Sequence, residues 1–174
     1  MNLFEKTLKE ELIYKGDYLT YTKVTVELPD GNTANRDILH HPGACAIIPF
    51  IDDDKIILIN QFRKALDKTI LEIPAGKINK DENIKDCALR ELEEETGYKA
   101  NNITYLGGVV LAPGYCDEVI HLYKATDLQL NEKHEDFDEF TEVKIFPLDE
   151  VKQMIKEGKI IDAKTISALT YISI

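Results

Sequence analysis

Two apolar runs constrain this chain more than any other feature: residues 44–51 read ACAIIPFI and residues 55–62 read KIILINQF, with Asp52-Asp53-Asp54 between them. Runs this short, bounded by a turn signal, are the length of buried strands rather than of helices. They predict a hairpin whose two arms lie in the core. Upstream, residues 18–28 alternate in strand fashion, Pro29-Asp30-Gly31-Asn32 marks a turn, and residues 33–39 resume the strand pattern. Downstream, Leu71-Glu72-Ile73-Pro74-Ala75-Gly76 closes a strand and enters a loop. A helix follows over residues 82–96, stopped by Gly97. Strands are expected at 103–112, 118–126 and 141–146, with an acidic loop at 131–139 and helices starting near Leu148 and Ala163. Mixed strands with few helices point to a layered α+β domain.

At 174 residues and 44% hydrophobic side chains, the chain can bury one core of ordinary size. It holds no apolar run of membrane-spanning length. The opening MNLFEKTLKEEL carries no apolar signal core, so a cytoplasmic protein is expected. Cys45, Cys87 and Cys116 are odd in number and far apart, which argues against a disulfide framework and a zinc site. A net charge of −11 disfavours nucleic acid and anionic membranes as partners. If the substrate is anionic, a bound cation must offset the repulsion.

The segment RELEEETGY, residues 90–98, places glutamates at the C-terminal end of the predicted helix, where the helix dipole disfavours them. On a wheel with Ile84 at 0°, Ala88 falls at about 40° and Leu92 at about 80°. Glu91 falls at about −20°, Glu95 at about 20° and Glu94 at about −80° by the same geometry. The first two share the core-facing stripe and Glu94 stands at its edge, while Glu93 and Asp86 point to water. Glu91, Glu94 and Glu95 are neighbours at i, i+3 and i+4. Carboxylates this close repel unless a cation binds, and an all-oxygen set suits Mg²⁺ completed by phosphate and water. Arg90, four residues before Glu94, can orient that carboxylate. The alternative is a charged helix end with weak surface pairs.

From Gly76 the chain reads GKINKDENIKDCALRELEEETGY, which resembles the signature of the Nudix hydrolases. The matching residues are Gly76, Glu82, Arg90, Glu91, Leu92, Glu94, Glu95 and Gly97, with Tyr98 in the last aliphatic place. The resemblance implies an α/β/α sandwich with a mixed sheet, here preceded by a small N-terminal antiparallel β segment at 1–40, with the Nudix domain at 41–174. It also implies hydrolysis of a nucleoside diphosphate linked to another group. Glu91, Glu94, Glu95 and the carbonyl of Ala75 would hold Mg²⁺ or Mn²⁺, next to Gly76, whose freedom in φ would shape the loop.

Further segments are similar to the ADP-ribose pyrophosphatase branch: Arg36-Asp37-Ile38-Leu39-His40-His41-Pro42-Gly43-Ala44, Asn60-Gln61-Phe62-Arg63-Lys64-Ala65, residues 71–76, Ala112-Pro113-Gly114-Tyr115-Cys116-Asp117-Glu118 and Asp162-Ala163-Lys164-Thr165. That likeness implies release of AMP and ribose 5-phosphate from ADP-ribose. Arg63 would meet a phosphate oxygen, or else pair at the rim with Asp67. Arg36 would stand at the adenosine side, or be a solvated strand-end arginine. Glu72 and Glu118 would contact ribose hydroxyls, with Glu72 otherwise simply turned outward, and Gly114 would line the substrate. His40, His41, His121 and His134 show no metal-ligand spacing. The general base, or a further metal ligand, is expected at Glu139, with Glu135 in reserve and Glu94 next. A homodimer is expected, because residues 4–28 alternate apolar and charged side chains without enough partners to cover them. Other readings are a Nudix enzyme for a different nucleoside diphosphate sugar and a catalytically silent nucleotide-sensing domain.

Overall fold

The computed structural model describes residues 2–133 and 140–172. The chain divides into two compact units, one of Met1–Pro42 with Val110–Val119, the other of Gly43–Val109 with Ile120–Ile174. The segment Val110–Val119 thus joins the N-terminal unit.

The N-terminal unit is an antiparallel sheet of three strands in the order β1 (Lys6–Lys15), β2 (Thr20–Glu27), β3 (Thr33–His40). The β2–β3 register runs from Thr20 opposite His40 to Glu27 opposite Thr33, closed by the expected turn with Gly31 at φ 85°. Only Gly tolerates that backbone without strain. Val24 and Val26 are buried, whereas every residue of β1 is exposed, including Leu8, Leu12, Ile13 and Tyr14.

The larger unit is built on two sheets. One has the order β10 (Thr141–Pro147), β5 (Lys55–Arg63), β6 (Lys68–Glu72) and is antiparallel. The other has the order β7 (Ala75–Lys77), β4 (Ala44–Pro49), β9 (Val119–Leu130), β8 (Tyr98–Val110). Within it β4 runs parallel to β9 and antiparallel to β7, so the sheet is mixed. Among the described residues three α-helices complete the unit: α1 (Ile84–Thr96), α2 (Leu148–Lys156) and α3 (Ala163–Tyr171).

The two apolar runs are buried strands, but they do not form the expected hairpin. β4 and β5 belong to different sheets and share a single bridge, Phe50 to Ile56. The reason lies in the side chains of β4. Ala44, Ala46 and Ile48 pack into one cluster with Leu58, Val151, Ile160 and Leu169, the last three from α2, α3 and the segment between them. Cys45 and Ile47 pack into a second cluster with Cys87, Ala88 and Leu92 of α1. A strand covered by helices on both faces must be apolar at every position. The continuous run therefore reports a central strand between two helical layers, and the turn after it carries the chain to another sheet. Among the described residues no helix is long and apolar enough to cross a membrane.

Candidate active site

Helix α1 begins where Asn83 accepts a hydrogen bond from the Lys85 amide, 2.9 Å away, an N-cap that satisfies one of the orphan donors of the first turn. It ends at Gly97, whose left-handed φ of 74° lets its N–H return to the Glu93 carbonyl. No basic residue occupies the last turn. The inward face carries Cys87, Ala88, Glu91, Leu92 and Glu95, all buried. Glu91 is 6% exposed and Glu95 2%. Glu93 and Glu94 are half-buried and Asp86 is exposed. The wheel therefore turns Glu91 and Glu95 inward as the fold does, whereas Glu93, expected to point to water, is as covered as Glu94, at 28% against 29% side-chain exposure, and accepts from Asn131 Nδ2.

Arg90 collects the cluster. Its Nε donates to Glu82 Oε1 at 2.8 Å and its Nη2 to Glu82 Oε2 at 3.0 Å, a two-pronged pair. Its Nη1 donates to Glu91 Oε1 and to Glu94 Oε2, each at 2.7 Å. Nη2 also reaches the Lys77 carbonyl at 3.1 Å. The Glu82 hydrogen bond, with the charge of Glu91 and the hydrogen bonds to Glu94 and Glu91, raises the guanidinium pKa against the opposing effect of burial. In return, Arg90 holds the Glu82 carboxyl below its usual range. Glu82 Oε2 accepts the Asn79 amide as well, which fastens the loop before the helix. Glu82 matters to the site through this double pairing, a role that its place in the signature alone does not disclose.

Gly76 supplies the space. An added Cβ there would stand 2.0 Å from Glu91 Cδ and Oε1 and 2.3 Å from Oε2. Its φ is not positive, so the glycine is needed for the close approach of a carboxylate and not for backbone freedom. Ala75, beside it on β7, donates its N–H to Glu95 Oε2 at 2.8 Å. The strand β7 thus meets Glu91 and Glu95 on neighbouring residues.

One guanidinium faces the carboxyl groups of Glu82, Glu91 and Glu94, and Glu95 adds a fourth acidic side chain. Among the described residues no three acidic, histidine or cysteine side chains stand close enough to form a complete metal cage. What the helix offers is a partial all-oxygen set. Mg²⁺ is held in that way, by one or two carboxylates with substrate phosphate and water filling the remaining positions. Glu91, Glu94 and Glu95 are donors of the kind a divalent cation takes, and a bound substrate and water would have to complete their set.

A second cluster lies between β5, β6 and α3. Arg63 Nε donates to Glu72 Oε1 at 2.8 Å. Glu72 is fully buried, and its other oxygen receives the ammonium of Lys164, itself buried. Glu72 therefore neither points outward nor stands open to a ribose, since both oxygens already hold cations. Asp67 pairs with Lys64 at 2.7 Å, so it is not the rim partner of Arg63. Burial works to lower the Arg63 pKa, but the charge and hydrogen bond of Glu72, together with Glu95 and Asp162, outweigh it and raise the value. Neighbouring Gln61 is buried with an Oε1 that has no partner among the described residues.

Arg36, Gly114 and Glu118 belong to the N-terminal unit. Arg36 gives its Nε to Glu5 Oε2 at 3.0 Å and its Nη2 to the other oxygen. Glu118 lies 3.4 Å from His41 Nδ1. Gly114 is exposed, with open space where a Cβ would go. Asp117 holds His40 Nδ1 at 2.6 Å and the His41 amide at 2.8 Å, a histidine–carboxylate pairing that spacing in sequence does not reveal. Glu139, Glu135 and His134 lie outside the described residues.

The family profile of the NUDIX domain matches residues 39–169. A methanol dehydrogenase activator of Bacillus methanolicus is 45% identical, over 98% of this chain and 93% of its own. An ADP-ribose pyrophosphatase of Bacillus subtilis is 43% identical, over 99% of this chain and 95% of its own. A GDP-mannose pyrophosphatase of Yersinia enterocolitica is 30% identical, over 100% of this chain and 97% of its own. A crystal structure of an ADP compounds hydrolase superposes with a TM-score of 0.87, covering 99% of this chain and 95% of that one at 24% identity, and so shares the fold. With the signature glutamates gathered by Arg90 on an α/β/α frame, and with the profile spanning most of its length, the chain belongs to the Nudix family.

Proposed function

We propose that this chain hydrolyses the pyrophosphate of ADP-ribose, giving AMP and ribose 5-phosphate, with Mg²⁺ as its cation and Mn²⁺ as a substitute. The observation that carries the reading is the buried pair Glu91 and Glu95 with half-buried Glu94, Glu91 lying against Gly76 and Arg90 holding Glu91 and Glu94. The relative from Bacillus subtilis supports the choice of substrate. Glu91, Glu94, Glu95 and the Ala75 carbonyl would hold the cation. When bound, it would polarise a pyrophosphate oxygen and lower the pKa of a water.

The protein groups have separate tasks. Arg90 fixes Glu91 and Glu94 so that their oxygens are placed before substrate arrives, the preorganisation that electrostatic catalysis requires. Arg63, held by Glu72 at one edge of its fork, gives its remaining N–H groups to a phosphate oxygen. The water oxygen attacks one phosphorus in line with the bridging oxygen, the P–O bond to that oxygen breaks, and the water proton passes to a carboxylate. We assign that proton to Glu139. The exposed strand β1 pairs with a second copy in a homodimer, and the protein works in the cytoplasm with its thiols reduced.

The similarity to a GDP-mannose pyrophosphatase supports a second reading, a different nucleoside diphosphate sugar at the same centre. The test is AMP or GMP release from ADP-ribose, GDP-mannose and related sugars, with Mg²⁺ and with EDTA. The primary reading expects the highest kcat/KM on ADP-ribose and none with EDTA. Equal turnover in EDTA would overturn it, and preference for GDP-mannose would replace it with the second.

A further inference from the structure

We propose that Lys164 is a positioning residue for Arg63, acting through the Glu72 carboxylate that lies between them. The inference rests on the reading of Arg63 as the phosphate-binding arginine.

Lys164 occupies the first turn of α3, two residues after the N-cap Asp162. A cation is disfavoured there by the helix dipole, and a buried ammonium is costly to desolvate. Yet Lys164 is only 7% exposed. Two carboxylates compensate it, Glu72 through Oε2 and Asp162 through Oδ1 at 3.2 Å. Asp162 is itself fixed, its Oδ2 accepting the Thr165 amide at 2.9 Å and the Thr165 hydroxyl at 2.6 Å. That hydroxyl accepts the Ile73 amide at 2.9 Å. The start of α3 therefore holds the side chain of Glu72 and the backbone of the residue after it.

What this framework controls is the second oxygen of Glu72. A carboxylate with both oxygens available takes an arginine by two parallel bonds. Here Lys164 occupies Oε2, so Arg63 engages Oε1 through Nε alone. Nη1 and Nη2 donate to no described residue, and the Arg63 side chain is 38% exposed. Without the ammonium, Glu72 would turn to grip Nε and an Nη together and draw the fork inward. Lys164 thus keeps two donors pointed away from the carboxylate, where an anion can meet them. Simple neutralisation of a buried glutamate would need a cation, but no effect of that cation on substrate affinity that depends on Arg63.

The experiment is a cycle of four proteins: wild type, Lys164→Met, Arg63→Ala and the double variant, assayed on ADP-ribose with Mg²⁺. Lys164→Met should raise KM about tenfold or more while kcat stays within about threefold, the signature of lost ground-state binding. In the Arg63→Ala background the same change should move KM by less than about twofold, because residues that share one partner in a hydrogen-bond network are not additive. An equal rise in both backgrounds, or no rise in either, overturns the proposal. Should Lys164→Met not fold, Lys164→Gln, which removes the ammonium but keeps a polar side chain and leaves the Glu72 carboxylate in place, is used instead, with the same KM pattern expected and the same outcomes refuting it. If wild type does not turn over ADP-ribose, the substrate reading fails. The cycle is then read by calorimetry with inorganic pyrophosphate and Mg²⁺, where coupling between the two positions sustains the inference and additive losses or absent binding overturn it.

Discussion

Gly76→Ala probes the geometry of the carboxylate cluster with one methyl group. That methyl would sit 2.0 Å from Glu91 Cδ, well inside van der Waals contact. The backbone need not move, because the atoms it meets are the end of a side chain. That end is 6% exposed and tied to Arg90 at 2.7 Å, so turning it away strains a packed site and breaks a charge-assisted hydrogen bond. Overpacking of this kind costs about 1–3 kcal/mol. For a chain of this length each kcal/mol moves Tm by about 2–4 °C, so a fall of about 2–12 °C is expected. In a Glu91→Ala background the obstruction is gone and φ suits any residue, so the same substitution should stabilise by about 0.4–1 kcal/mol through loss of unfolded-state freedom. The assay is thermal unfolding of the four metal-free proteins. The reasoning predicts a reversal of sign between backgrounds. A similar fall in both would show that Gly76 is required by its backbone and not by the approach of Glu91.

The remaining predictions concern charge. Glu94→Gln and Glu95→Gln should each lower kcat by orders of magnitude and shrink the rise in Tm that Mg²⁺ gives wild type, and near-normal turnover in both would sink the metal reading. Glu139→Gln should reduce kcat by about 100-fold with KM little changed, while Glu135→Gln is nearly silent; the reverse pattern moves the base to Glu135. Hydrogen bonding to Asp117 raises the His40 pKa above 6.5. The stability it contributes is therefore present below 6.5 and lost as pH rises through the higher folded value, so the pH dependence of urea unfolding should flatten in His40→Gln over that window. Sedimentation at micromolar concentration should show a dimer that Leu12→Glu splits, and a monomeric wild type would refute the assembly.

Much of the local structure is legible in the sequence because it rests on short-range rules. The N-cap at Asn83, the stop at Gly97 and the inward turn of Glu91 and Glu95 follow from helix geometry and from residues within one or two turns. Pairing between strands is a different matter. Apolarity at every position of β4 says that both its faces are covered, and the same pattern suits a hairpin arm or a central strand. Only the partners decide, and each β4 residue pairs with a β9 residue far along the chain, Ala44 with Ile120 and Pro49 with Ala125. The same limit hides the role of Lys164. Its partner Glu72 is 92 positions distant, and no spacing rule connects a lysine at a helix start with a glutamate at a strand end.

The two arginines of the larger unit illustrate why contacts must be counted donor by donor. A guanidinium has five N–H groups and no acceptor. Arg90 commits its Nε, Nη1 and Nη2 to three carboxylates and a carbonyl. It has nothing left for a phosphate, so its influence passes through the glutamates it places. Arg63 commits Nε alone. In a chain whose net charge of −11 would repel a pyrophosphate, a cation surrounded by carboxylates adds no attraction that the substrate can use. In the proposed reading attraction would come from a positive group whose donors are still open, and from a metal held by the glutamates of α1. The acidic cluster and the half-committed arginine are therefore complementary parts of one solution. In the proposed mechanism the first would draw in the cation that the phosphates need, and the second, kept from folding back by Lys164, would orient them once they arrive.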